Sequence, residues 1–267
     1  MNTTFASPQL PDFLKLLTHE LRWKILTALA HSDYSVQEIV RFLNEPQNVV
    51  SYHLRKLRDQ HIVTERRSSA DERSIYYSLD LETFRRLYLA TGEAVHPALS
   101  IPVVTQHPRT AQTTHSPVRV LFLCTKNSAR SQMAEGLLRH LSHGAVEVFS
   151  AGSHPSSLHP YALRVMNTSG IDISQQQSKH VDEFRGQSFD YIITVCDRMR
   201  EVCPPFSGDP AFIHWSFSDP VEKEGSDEER YRAFEQTALQ LTTRLRFLLT
   251  VIERSQSEQK ESLPDVG

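Results

Sequence analysis

The segment Leu121–Leu138, LFLCTKNSARSQMAEGLL, decides how this chain is read. An apolar run, Val118–Leu123, ends at Cys124. Thr125, Lys126, Asn127, Ser128 and Ala129 separate the thiol from Arg130, and a helical pattern runs over Ser131–Leu141. A tight loop between a strand and a helix turns several backbone N–H groups inward, and the helix N-terminus adds positive potential. The arginine adds a planar fork for two oxygens. Such a cradle holds a tetrahedral oxyanion, and its field favours a thiolate. Cys124 is therefore the candidate nucleophile, Arg130 the clamp, and Thr125–Ala129 with Ser131 the oxyanion loop. A structural cysteine beside an unrelated arginine would need neither the strand before it nor the helix after it.

Working outward, further apolar runs at Val146–Ser150, Tyr191–Val195 and Phe212–Phe217 alternate with helical patterns at 160–170 and 181–184. A last helix carries Tyr231, Phe234, Ala238, Leu241, Leu245 and Leu248 on one stripe. This alternation predicts an α/β domain over 118–254 with a four-stranded parallel sheet. The polar tail 255–267 is expected to be disordered. Upstream, residues 93–117 hold four prolines, many Thr and Ser, and no sustained period, as a linker would.

Residues 11–92 read differently. Apolar positions recur at helical spacing over 13–30 as one helix. Ser35, with Glu38 three residues on, is a capping-box signature for the next helix. NEPQ breaks it, and NVVSYHLRKLRDQHIV follows with Val49, Val50, Leu54 and Leu57 inward. Two short strands around a polar turn and a closing helix over 81–91 complete a mainly α winged helix-turn-helix. In such a module the second helix enters the major groove and the hairpin meets the backbone or minor groove. Gln47, Asn48, Ser51, Tyr52, His53 and Arg55 are the candidate groove residues, with Arg66, Arg67 and Arg73 suited to phosphates. A helical protein-binding module with solvated arginines is the bland alternative.

Composition narrows the function classes. The net charge of −3 and 39% hydrophobic content exclude a globally basic nucleic-acid coat, so any DNA surface is local. No apolar stretch approaches the ~20 residues of a spanning helix. The first residues lack a basic and an apolar leader region, so the expected location is the cytoplasm, without membrane contact. The cysteines are Cys124, Cys196 and Cys203; an odd number argues for reactive thiols rather than a disulfide framework. His19, His31, His53 and His61 show no close pair at ligand spacing, and no metal site is expected.

The N-terminal segment resembles the ArsR-type winged-helix repressors, including Ser-x-His-Leu-x-x-Leu at Ser51–Leu57. The resemblance implies DNA binding as a homodimer. Metal-sensing members often carry a cysteine pair on the helix before the recognition helix, and QEIVRFL has none.

The C-terminal segment resembles the low-molecular-weight protein tyrosine phosphatases and the thioredoxin-coupled arsenate reductases that share their fold. The resemblance makes Asn127 the residue that shapes the loop and Ser131 the donor to the thiolate. It matches SAG at Ser150–Gly152, and Asp219 in SFSDP as general acid or base. A phosphatase needs no further thiol. Cys196 and Cys203, in TVCDRMREVCPPF, together with the HW before SFSDP, look like the reductases. The reductase resemblance implies that Cys124 attacks arsenate, Cys196 attacks Cys124 as arsenite leaves, and Cys203 moves the disulfide outward to thioredoxin or a similar thiol, with no tightly bound cofactor. Two packed cysteines, or half a zinc site lacking its other half, are the alternatives. Two positions depart from relatives. Lys126 stands where many have glycine. Lys179 stands where some reductases have an aspartate that helps bind potassium, and its ammonium is expected to take the ion's place.

Three readings follow: a regulator fused to an arsenate reductase acting in arsenic resistance; a regulator whose phosphatase-like domain only senses arsenate, phosphate or arsenite; and a tyrosine phosphatase with a DNA-binding domain.

Overall fold

The computed structural model describes residues 12–71, 73–96 and 117–261, which fall into two compact units. The N-terminal unit contains α1 (Asp12–Leu17), α2 (Glu20–His31), β1 (Tyr34–Ser35), α3 (Val36–Leu43), α4 (Gln47–Asp59), β2 (Val63–Arg67), β3 (Ile75–Leu79) and α5 (Leu81–Val95). Its sheet is antiparallel in the order β1-β3-β2. The capping box forms as the spacing requires: Ser35 Oγ accepts from the Glu38 N–H, and the Glu38 carboxylate accepts from the Ser35 N–H at 2.7 Å. Asn44 closes α3 in the left-handed region, so α4 starts in a new direction. Val50, Leu54 and Leu57 of α4 are fully buried with Ile25, Ile39 and Ile62, which makes the helix pair one packed body.

Two boundaries differ from the sequence reading. The single helix expected over 13–30 is two, because His19 caps α2 through Nδ1 while Arg22 Nε donates back to Leu16 O at 2.6 Å, satisfying the end of α1. Helix α5 passes Gly92 and ends at Val95; His96 is extended, as a residue preceding a proline tends to be. Most of the expected linker, 97–116, lies outside the described residues.

The C-terminal unit contains β4 (Val118–Cys124), α6 (Arg130–Leu141), β5 (Val146–Gly152), α7 (Pro160–Thr168), β6 (Tyr191–Thr194), α8 (Asp197–Val202), β7 (Ala211–His214) and α9 (Asp227–Glu261). The sheet is all parallel, in the order β5-β4-β6-β7. Central β4 is buried from Val120 to Cys124, as a continuous apolar run demands. Phe122 alone contributes about 2 kcal/mol by leaving water. The α9 stripe, Phe234, Ala238, Leu241, Leu245 and Leu248, is buried in the same core. The tail expected to be disordered from 255 stays helical to Glu261, since SQSEQKE has no glycine or proline to stop it. The last six residues, 262–267, lie outside the described residues. Parallel register sets Cys124 opposite Gly152 and Thr194 opposite His214, so the strand ends that carry the chemistry share one edge.

Candidate active site

Strand β4 delivers Cys124 into the loop 125–129, and α6 begins at Arg130. The Cys124 Sγ accepts from the Asn127 N–H at 3.1 Å and lies 2.9 Å from Ser131 Oγ. Asn127 has φ 46°, a left-handed conformation that asparagine tolerates better than most residues. Its side chain is held on every side. Asn127 Nδ2 donates to Ser131 Oγ at 2.9 Å and to Ser150 Oγ at 2.8 Å, while Oδ1 accepts from Gln132 Nε2 and the Lys179 N–H. Ser150 in turn donates to the buried carboxylate of Glu135, which also faces Lys179 Nζ at 3.8 Å. The loop is thus fixed from behind by side chains from α6, β5 and the 177–180 segment. Gly152 is needed for this closeness: a Cβ there would lie 2.6 Å from Thr125 O and 2.9 Å from Asn127 N.

Arg130 is buried and paired. Its Nη1 donates to Phe217 O at 3.1 Å and its Nη2 to Asp219 Oδ2 at 2.6 Å. Asp219 Oδ1 accepts from the Val221 N–H, which orients the carboxylate over the loop. Cys124, Arg130 and Asp219 therefore meet, with Lys126 exposed at the rim and Ser128 and Ala129 buried in the loop.

The second thiol stands next to the first. Cys196, buried after β6, caps α8, and its Sγ lies 3.4 Å from Thr125 Oγ1. Burial pushes this thiol's pKa up, and the nearby Cys124 adds to the shift; Arg130, the Thr125 hydroxyl and the Met199 N–H act the other way. Cys203 caps the other end of α8, half-buried, its pKa pushed by burial up to about 11. All three cysteines are free thiols.

In the N-terminal unit, Gln47, Asn48, Tyr52 and Arg55 of α4 are exposed and Ser51 is half-buried; Lys56 Nζ lies 5.7 Å from the Tyr52 ring centroid. Arg67 and Arg73 are exposed, and Arg66 is half-buried with Nη1 donating to Arg67 O. His53 departs from the expected groove set. It is only 6% exposed and sits against His19, ring centroids 4.3 Å apart, on the core side of α4 beside Leu54 and Leu57. Burial, with His19 and Arg22 nearby, holds its pKa below the usual value.

Sequence reasoning missed Glu135, Gln132 and Ser178 behind the loop. Two polar residues on the inward face of α6, Gln132 and Glu135, were the available signal. It also missed α8, a six-residue helix between two cysteines.

Strand, thiol-bearing loop, helix-bound arginine and overhanging carboxylate define a class of proteins that capture tetrahedral oxyanions beside a nucleophilic cysteine. Residues 119–259 match the family described as low molecular weight phosphotyrosine protein phosphatase, and residues 19–65 match the bacterial regulatory proteins of the arsR family. The chain belongs to the low molecular weight phosphotyrosine protein phosphatase family and carries an arsR-type regulatory segment ahead of that domain. It is 39% identical over 129 residues to an arsenate reductase of Shouchella clausii, covering 48% of this chain and 91% of that one. An arsenate reductase of Halalkalibacterium halodurans is 37% identical over 127 residues, again 48% and 91%. A solved arsenate reductase in its oxidized state shares 31% identity over 50% of this chain and 98% of that one, with a TM-score of 0.45. Among the described residues, no helix is long and apolar enough to cross a membrane.

Proposed function

We propose that this protein is a bifunctional DNA-binding regulator and arsenate reductase, acting in the cytoplasm in arsenic resistance. One observation carries the reductase reading: a second thiol, Cys196, stands beside the oxyanion loop, and a third, Cys203, stands at the far end of the short helix that starts there. A hydrolytic phosphatase has no use for either.

The chemistry runs in three exchanges. Cys124 thiolate attacks the arsenic of arsenate held by the loop and Arg130, and an oxygen leaves as water with a proton supplied by Asp219. Cys196 thiolate then attacks Cys124 Sγ. An S–S bond forms, the S–As bond breaks, and its electron pair stays on arsenic, which leaves as arsenite. Cys203 thiolate attacks Cys196 Sγ and frees Cys124, and a thioredoxin-like dithiol reduces the Cys196–Cys203 disulfide. Cys196 and Cys203 cap the two ends of α8, seven residues apart, a rise of about 10 Å along a helix, whereas a disulfide needs Cα atoms roughly 4.4–6.8 Å apart, so α8 unwinds in this last exchange. Since Cys124, Arg130 and Asp219 suffice for phosphate ester hydrolysis, a residual phosphatase activity accompanies the reductase.

The N-terminal unit binds DNA as a homodimer, α4 in the major groove. Tyr88 and Val95, exposed apolar residues on α5, support self-association. The test is purified protein with arsenate, thioredoxin, thioredoxin reductase and NADPH, beside p-nitrophenyl phosphate. Arsenate-dependent NADPH oxidation is expected, with Cys124→Ser inactive and Cys203→Ser limited to one turnover. A Cys203→Ser protein that cycles like wild type would overturn the relay.

A further inference from the structure

A buried polar cluster lies outside the residues used so far. Asp197, the first residue of α8, is fully buried. Its Oδ1 accepts from Ser216 Oγ at 2.8 Å and faces His214 Nε2 at 3.2 Å. The other ring nitrogen, His214 Nδ1, is 2.8 Å from Thr194 Oγ1. The cluster therefore joins the end of β6, the end of β7, the segment leading to Asp219, and the first turn of α8. Burying a carboxylate is unfavourable unless it is paired, and a satisfied buried network fixes the elements that supply it.

Cys196 immediately precedes Asp197. The opposite end of α8 has no such polar network: Val202 is 62% exposed, and Cys203, half-buried against the edge of the core, has its Sγ 3.7 Å from Pro204 O. The helix is held by a buried polar network at one end and by partial apolar packing at the other.

We propose that Asp197 and His214 are positioning residues that pin the first turn of α8, so that the helix unwinds from its Cys203 end while Cys196 stays within reach of Cys124. The inference rests on the reductase reading. The step it governs is attack of Cys196 on Cys124, whose bond changes are given above. Without the pin, Cys196 drifts from the loop and this attack slows, while oxyanion capture by Cys124, Arg130 and the loop backbone is untouched.

The test uses the full chain in a Cys203→Ser background, with His214→Gln and Asp197→Asn. Three quantities are measured: affinity for inorganic phosphate, single-turnover arsenite release, and the rate at which diamide forms the Cys124–Cys196 disulfide, followed by peptide mapping. Phosphate affinity is expected within twofold of the parent, with arsenite release and diamide-driven disulfide formation each slowed at least tenfold. Ser216→Ala, which leaves the Asp197–His214 pair in place, is expected to slow both by a smaller factor and serves if the stronger variants do not fold. Parent-like disulfide formation in the variants overturns the pin. So does a parallel loss of phosphate affinity, which would make the cluster a general support of the fold. If the parent releases no arsenite, the reductase reading falls, and the diamide rate still decides the pin.

Discussion

Replacing Gly152 by alanine is a direct test of how closely the loop is fitted. The new Cβ would stand 2.6 Å from Thr125 O, 2.9 Å from Asn127 N and 3.0 Å from Cys124 O. All three are backbone atoms, so no flexible side chain can yield. Reaching ordinary contact requires the loop to retreat by about 0.8 Å. Overpacking of this kind costs ~1–3 kcal/mol. At roughly 2–4 °C per kcal/mol, the melting temperature of the C-terminal unit falls by about 2–12 °C. Function suffers more, because a misplacement near 1 Å at a reacting centre costs ~100-fold. The expected result is a folded Gly152→Ala protein by circular dichroism, with kcat/KM for arsenate down by about two orders of magnitude and weaker phosphate binding. A variant that binds phosphate and turns over like wild type would refute the close fit of β5 against the loop.

Other outcomes follow from the same geometry. Ser35→Ala removes the capping box and should destabilise the N-terminal unit by ~0.5–2 kcal/mol, read from denaturant midpoints, with arsenate turnover unchanged. Burial holds the Cys203 thiol protonated at neutral pH, its pKa about 11, so its thiolate fraction grows as pH rises; thioredoxin-coupled cycling should accelerate from pH 7 to 9. A flat profile would show that Cys203 leaves its buried position before it ionises. Arg55→Ala should weaken binding to a specific promoter site by ~1–3 kcal/mol, whereas Arg66→Ala should weaken all DNA alike and flatten the salt dependence; unchanged binding in the double variant would remove the DNA-reading assignment.

The apolar runs made the sheet readable from residues alone; the spacing from Cys124 to Arg130, with the family resemblance carried by SAG and SFSDP, pointed to the place where Cys124, Arg130 and Asp219 meet. Each of these is a local pattern. What escaped depends on contacts distant in sequence. Asp197 and His214 are seventeen residues apart and meet only because α8 starts where β6 ends and β7 lies beside it. Glu135 is a plain helical glutamate until Ser150 arrives from β5. His53 is the reverse case: residue type places it among the candidate groove residues of α4, and the helical phase it shares with Val50, Leu54 and Leu57 buries it with them. The α1–α2 break escaped because the apolar period continues across it, while the interruption is made by the His19 cap and the reach of Arg22.

The pairing of Arg130 with Asp219 gives the site the character of an ion exchanger. A guanidinium already holding a carboxylate at 2.6 Å does not wait idle for any passing anion. Each newcomer must displace a charge of −1, and the lost attraction is subtracted from its own. Chloride or nitrate, with a single diffuse charge, recovers little of that loss. A tetrahedral dianion, with twice the charge and four oxygens to share between the loop and the arginine, recovers more of it. Selection is therefore by valence before it is by shape.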